Sequence, residues 1–327
     1  MTDAAAIKLN YDEAFQEVER RLDAALNGAP GLIGSYTAHL SGARGKMIRA
    51  HAVLACALDG AGRVDPDAVA FAAAIELLHL ATLVHDDVMD DADTRRGAPT
   101  LQRRFGKRTA VICGDYLLSA ALRMAGSVED RERFLKLELP DYVGRVCMGE
   151  LLQQVHNGDF DLKLTDYLRI IRGKTAALFE ASFYAGAILA EDGAGQVGRY
   201  ARLGRYVGMI FQLTDDCIDY GLDETTAKKP VQSDFEQGVV TLPLIRAMEA
   251  EPALREGAKA GRLTADEVGR TVRRTGGLDF TRRFAKRYHD KAQALLDELD
   301  APAEKTRRLR DILNKSYCGP KPADSAT

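Results

Sequence analysis

Residues Phe71 to Thr100 read FAAAIELLHLATLVHDDVMDDADTRRGAPT. The segment opens as an apolar run of helical character, gathers carboxylates at Asp86, Asp87, Asp90 and Asp91, and closes on the basic pair Arg95 and Arg96. Residues four apart share a helix face, so Asp86 and Asp90 point the same way, with Asp87 about 100° round from Asp86. His79 stands two turns before Asp86 and falls on the same stripe. A run of acids is ordinarily a solvated helix end. These acids, however, lie at the C-terminal end of the helix, where the dipole disfavours negative charge. Carboxylates gathered in this way repel one another unless a cation lies between them.

The same Asp-Asp-x-x-Asp spacing returns in Phe211-Gln212-Leu213-Thr214-Asp215-Asp216-Cys217-Ile218-Asp219-Tyr220, again closing an apolar run. Gln212, Asp215, Asp216 and Asp219 fall at i, i+3, i+4 and i+7, a polar stripe on an otherwise apolar helix. Two buried stripes of acid are costly unless divalent cations neutralise them. All-oxygen donors suit Mg²⁺, a hard ion that keeps part of its hydration and completes its shell with phosphate oxygens; the ligand spacing and central glycine of an EF-hand are missing. A phosphate-bearing substrate needs cations of its own. Lys46, Arg49, Arg95, Arg96, Lys174 and Lys229 are the candidates, enough for two diphosphates.

Composition bounds the alternatives. The 327 residues carry a formal net charge of −3, with 46% apolar and 28% charged residues, which is ordinary for a soluble globular chain. No global basic field suggests a nucleic-acid partner. Cys56, Cys113, Cys147, Cys217 and Cys318 show neither paired nor metal-type spacing and read as reduced core thiols. The N-terminus lacks the basic and apolar regions of a signal peptide. The longest apolar stretch, Ala68 to Val84, is interrupted by Glu76 and His79 and is not read as a membrane span. A cytoplasmic protein is expected.

In chain order, Tyr11, Phe15, Val18, Leu22 and Leu26 mark a first amphipathic helix ending near Asn27 to Pro30. Ser41 to Arg49 is a glycine-punctuated loop in which Lys46 and Arg49, three apart, share one face as a helix begins. Asp65-Pro66 is an N-cap with proline at the first helical position. Further helices are expected over Phe105 to Met124, Leu139 to Asn157, Thr165 to Leu189 with a kink at Arg172-Gly173-Lys174-Thr175, Gly198 to Tyr220, and Leu242 onward to Leu313. Asp223 to Gly238 reads as a polar loop. Met124 and Met148 are read as core fillers. The fold class is all-α: one domain over 1–327, a helical bundle around a central cavity, with flexible tails at 1–8 and 320–327.

Together, Gly45-Lys46-Met47-Ile48-Arg49, HDDVMDDADTRRG, YLRIIRGKTAALFEAS, FQLTDDCIDY and KKPVQSDFEQGVVTLPLI resemble the all-trans polyprenyl diphosphate synthases over nearly the whole chain. The resemblance implies head-to-tail addition of isopentenyl diphosphate to an allylic diphosphate. It implies a cluster of three Mg²⁺ ions held on the allylic diphosphate by Asp86, Asp87 and Asp90 with Asp215, Asp216 and Asp219. Arg95, Lys174 and Lys229 would clamp that diphosphate, helped by Gln212. Lys46, Arg49, His79 and Arg96 match the positions that bind isopentenyl diphosphate, and Thr175 and Gln153 match further family positions. A homodimer is expected on the same ground.

Departures fall at Lys228, where a glycine is common, at Val239, where many relatives carry lysine, and at Gln102, where asparagine is frequent. In such enzymes product length follows the depth of the apolar tunnel below the first motif. Ala81 and Thr82 stand five and four residues before Asp86, where short-chain enzymes tend to place aromatics, so a medium or long product of heptaprenyl or octaprenyl type is expected. The competing readings are a short-chain farnesyl or geranylgeranyl synthase, a terpene cyclase, and a regulatory subunit of a heteromeric synthase. Duplicated acid motifs and a second set of cations disfavour the last two.

Overall fold

The structure, a computed structural model, describes residues 7–29, 31–43, 45–128, 130–221 and 233–317. These fall into two compact units. One comprises the chain up to Leu139 together with Leu178–Gly204 and Leu299–Ile312; the other comprises Pro140–Ala177, Arg205–Glu298 and the residues from Leu313. Both are helical, and the all-α expectation holds.

In the first unit, α1 (Tyr11–Asn27), α2 (Gly31–Thr37) and α3 (Ile48–Cys56) precede α4 (Pro66–Met89), with α5 (Leu101–Phe105), α6 (Lys107–Ala125) and α7 (Arg131–Lys136) following. The first helix starts where its sequence dictates: the Asn10 side chain accepts from the Asp12 and Glu13 amides, and the Glu13 carboxylate accepts from the Asn10 amide. Helix α4 begins at its expected cap, the Asp65 carboxylate accepting from the Asp67 amide. It is long and apolar enough to cross a membrane, yet it is mostly buried and packs against α1, α3 and above all α6. Phe71, Ile75 and Leu77 are fully buried along it.

Two short antiparallel pairs complete this unit, β1 (Leu9–Asn10) with β2 (Arg63–Val64) and β3 (Thr94–Arg95) with β4 (Ala98–Pro99). Two-residue strands are too short to leave an alternating pattern in the sequence. The second pair folds the segment after the acids into a hairpin, with Arg96 and Gly97 at its tip in the left-handed region.

The second unit holds α8 (Leu139–His156) from its second residue onward and α9 (Leu164–Ile171). The expected kink is a π-helical turn at Arg172–Ala176, after which the chain continues as α10 (Ala177–Leu189) and α11 (Ala194–Gly221). Then come α12 (Ser233–Glu236), α13 (Leu242–Ala250), α14 (Pro252–Lys259), α15 (Ala265–Arg274), α16 (Gly277–Asp297) and α17 (Ala303–Ser316), the last returning mainly to the first unit. Tyr167, Ile170, Leu213, Tyr220, Leu242 and Leu244 form the centre of the second core.

Two sequence readings are corrected. Cys147 is exposed on α8 while Cys56, Cys113 and Cys217 are buried, and Met148 is 56% exposed and no core filler. Both lie on the outer face of α8. Lys228, Lys229, Cys318 and the tail from 320 lie outside the described residues.

Candidate active site

The first acid motif occupies the end of α4. The backbone NH of Asp90 donates to the Asp86 carbonyl at 2.8 Å, which closes the helix, and the Ala92 NH donates to the Asp87 carbonyl at 2.9 Å. Asp91 then takes a left-handed conformation. Asp87 is buried, and the Arg95 Nε donates to its carboxylate at 2.7 Å. Burial raises the Asp87 pKa from its ordinary value, and the Arg95 charge opposes that rise. Asp91, by contrast, is exposed, paired with Lys107 at 3.0 Å, and held below its ordinary value by that lysine and by Gln102. The Gln102 amide also donates to the Ala92 carbonyl at 2.9 Å, so this departure from the family pattern still ties down the loop.

A cationic cluster lies in the same unit. Arg49 is 9% exposed, with its guanidinium over the Phe179 ring and its buried Nε without a hydrogen-bond partner among the described residues. Glu76, one helical turn before His79, accepts from the Ala50 amide at 2.9 Å and compensates the Arg49 charge. Burial pushes the Arg49 pKa down to about 10. His79 is held well below its usual value by burial and then by Arg49, Arg96 and Arg95, so its imidazole is neutral. The Arg96 guanidinium lies against the backbone of Gly45, where an added Cβ would come within 2.5 Å of it. Arg49, His79, Arg95 and Arg96 are therefore brought into one electrostatic neighbourhood, and Lys46 is exposed nearby in sequence. Three guanidinium groups and a neutral imidazole make a receptor for an anion.

His85 fills a different role. Its ring approaches Asp115 at 3.3 Å, and Gly114 leaves the space it occupies, since a Cβ there would lie 2.3 Å from the imidazole Nε2. Ala81 is buried on α4, and Thr82 is half-buried with its hydroxyl donating to the His79 carbonyl at 2.8 Å.

The second motif, at the end of α11, belongs to the other unit. Asp216 is 2% exposed. The Tyr167 hydroxyl donates to one of its carboxylate oxygens, and the Gln212 amide donates to the other at 2.8 Å. The Thr175 hydroxyl donates to the Gln212 carbonyl oxygen at 2.7 Å. Burial, reinforced by Asp215 and Asp219, pushes the Asp216 pKa up to about 7 against these hydrogen bonds. Lys174, beside Thr175 on the π-helical turn, pairs with Glu150 at 2.7 Å. Gln153, on the same helix as Glu150, is half-buried. That turn sits against α8 backbone to backbone: a Cβ on Gly149 would lie 2.1 Å from the Lys174 nitrogen.

Sequence reading missed several of these partners. Glu76 was legible only as a charge interrupting an apolar helix, and Glu150 only as standing three residues before Gln153. Tyr167 looks like any core aromatic. Asp234 sits in a stretch read as polar loop, yet burial and the three acids of the second motif drive its pKa well above the carboxylate range. Its backbone NH approaches the Asp219 carboxylate at 3.4 Å.

Among the described residues no group of three His, Cys, Asp or Glu side chains is arranged to hold an ion by itself. The crowded carboxylates are hard oxygen donors that resist ionising together, which fits a hard cation whose shell a diphosphate completes.

The family model described as polyprenyl synthetase matches residues 31–270. The chain belongs to the polyprenyl synthetase family. It is 39% identical over 302 residues to heptaprenyl diphosphate synthase component 2 of Geobacillus stearothermophilus, covering 90% of this chain and 92% of that protein. It is 34% identical over 285 residues to octaprenyl diphosphate synthase of Escherichia coli, covering 85% and 87%. The crystal structure of a polyprenyl synthase from Caulobacter crescentus, complexed with calcium and isoprenyl diphosphate, superposes with a TM-score of 0.86 at 30% identity, covering 94% of each chain. As a member of this family the protein is an enzyme that transfers prenyl groups, a trans-prenyltransferase.

Proposed function

We propose that the enzyme elongates an allylic diphosphate with isopentenyl diphosphate and releases a medium- or long-chain polyprenyl diphosphate and pyrophosphate. What supports this reading is that one chain carries two acid motifs and, distinct from them, a cluster of Arg49, Arg95 and Arg96 around a neutral His79. The acids suit a metal-bound diphosphate, and the cluster suits a second one.

In this scheme Asp86, Asp87 and Asp90, with Asp215, Asp216 and Asp219, would hold Mg²⁺ for the allylic diphosphate. The chemistry Mg²⁺ supplies when bound is stabilisation of negative charge growing on the leaving group. Arg95, Lys174, Lys229 and Gln212 hold the same diphosphate, while Lys46, Arg49, His79 and Arg96 hold isopentenyl diphosphate. The allylic C–O bond breaks and its electron pair leaves with the diphosphate. The isopentenyl double bond attacks the allylic carbon, a C–C bond forms, and loss of a proton to the pyrophosphate restores a double bond. Neutral His79 orients without offering a competing acid. Thr175 serves by fixing Gln212.

Small residues at Ala81 and Thr82, and relatives named heptaprenyl and octaprenyl synthases, support a long product. Incubating the protein with isopentenyl and farnesyl diphosphates and Mg²⁺, then measuring product mass, tests the whole reading. A ladder ending near heptaprenyl or octaprenyl is expected; cyclic hydrocarbon alone would establish a cyclase. Ala81→Phe is expected to shorten the product, and an unchanged length would remove Ala81 from the tunnel.

The enzyme is proposed to act in the cytoplasm as a homodimer. Exposed Val111, Ile112 and Leu122 on α6, and exposed Met148, Leu151 and Val155 on α8, are apolar surfaces in want of cover. The Geobacillus relative is named as one component of a synthase. Turnover by the purified chain, with a mass twice that of the monomer by light scattering, separates the homodimer from a heteromeric assembly.

A further inference from the structure

The second acid motif has a support that neither its spacing nor the proposed chemistry calls for. Tyr167 is 2% exposed and stands 49 residues before Asp216, yet its hydroxyl donates to the Asp216 carboxylate. The other oxygen of Asp216 accepts from Gln212, and Gln212 in turn accepts from Thr175. Because the Gln212 amide donates at one end and accepts at the other, its orientation is fixed, and the four side chains form one directed chain. Three of its members belong to separate segments: α9, the π-helical turn and α11.

The turn itself is pressed from its other side. Gly173 and Gly149 meet backbone to backbone, a Cβ on Gly173 lying 2.8 Å from the Gly149 Cα, and Lys174 is drawn to Glu150 at 2.7 Å. Thr175 and Lys174 are adjacent, so whatever fixes one fixes the direction of the other. The hydrogen-bond chain thus couples the segment carrying Lys174 to the helix carrying Asp215 and Asp219. A phenyl ring at 167 would leave a buried carboxylate oxygen without its donor, and the acid would have to rotate or lose its hold on Gln212.

We propose that Tyr167 is a positioning residue: by holding Asp216 it keeps Gln212, Thr175 and Lys174 in register with Asp215 and Asp219 for the allylic diphosphate. Asp216 then acts through its hydrogen bonds as well as beside Asp215 and Asp219 toward the metal-bound substrate. The inference rests on the prenyltransferase reading above.

The test compares wild type, Tyr167→Phe, Thr175→Val and the double variant in the full-length enzyme, with steady-state kinetics in both substrates and a Mg²⁺ titration. Tyr167→Phe is expected to lower kcat/KM for the allylic diphosphate about tenfold to a hundredfold. It should raise half-saturating Mg²⁺ and leave KM for isopentenyl diphosphate within about twofold, since the Arg49 cluster is untouched. The double variant should be little worse than the poorer single one, because both cut the same chain. Circular dichroism and thermal melting identify any variant that has lost its fold. Parallel losses for both substrates, additive losses in the double variant, or unaltered kinetics in Tyr167→Phe would each overturn the proposal. Wild-type protein that makes no elongated product would overturn the prenyltransferase reading and the relay with it. Active wild type beside an indifferent Tyr167→Phe would overturn the relay alone.

Discussion

The two acid motifs share one spacing and differ in how each restrains its middle carboxylate. Asp87 is met by a guanidinium, Arg95, contributed by a hairpin eight residues downstream. Asp216 is met by two neutral donors, Tyr167 and Gln212, with acids on either side. A guanidinium offsets the charge of a buried carboxylate directly, whereas neutral donors satisfy its lone pairs without cancelling its charge. The middle carboxylate of the first motif is therefore offset in charge by Arg95, whereas that of the second is hydrogen-bonded to neutral donors. The outer positions differ too: Asp91 extends the first motif into solvent, while its counterpart Tyr220 is fully buried.

The largest effect falls on what the motifs share. Asp86→Ala and Asp215→Ala are each expected to lower kcat by about 10²–10³, the loss typical of removing one transition-state stabiliser. Wild-type turnover in either would break the symmetry between the motifs at its root.

The next effect separates their surroundings. Gly149→Ala sets a methyl group against the backbone of Lys174, while Gly114→Ala sets one against the His85 ring, a side chain and not backbone. Overpacking of about 1–3 kcal/mol is expected at Gly149, visible as a lowered melting temperature, with a smaller loss at Gly114. Equal losses would show that the two motifs are equally rigid.

Arg95→Gln addresses the compensating charge. It should reduce kcat/KM for the allylic diphosphate about tenfold and raise half-saturating Mg²⁺ less than Tyr167→Phe does, because Asp87 keeps a neutral donor. A larger metal effect in Arg95→Gln would reverse the ranking of the two supports. Asp91→Asn is expected to change neither kcat nor melting temperature. Its pair with Lys107 is exposed, and asparagine tolerates the left-handed backbone there. Lost activity would make the extra acid of the first motif a working one.

Much of this was legible in one dimension. Helix periodicity placed α1, the Asp65 cap and α4, because helical neighbours are set by chain distance alone, and the resemblance of several motifs in order pointed to the family. The glycine flanked by basic residues marked the π-helical turn, though the contact that demands the glycine lay on another helix. What a side chain meets across tens of residues has no local signature. Tyr167 beneath Asp216, Glu76 beside Arg49, Arg96 against Gly45 and the solvent-facing Cys147 and Met148 were decided by tertiary packing. The sequence determined which groups carry charge and in what order along each helix. Only folding decided which of those charges are met by a cation and which by neutral donors, because burial and partnership arise from segments that meet in space and not in the chain.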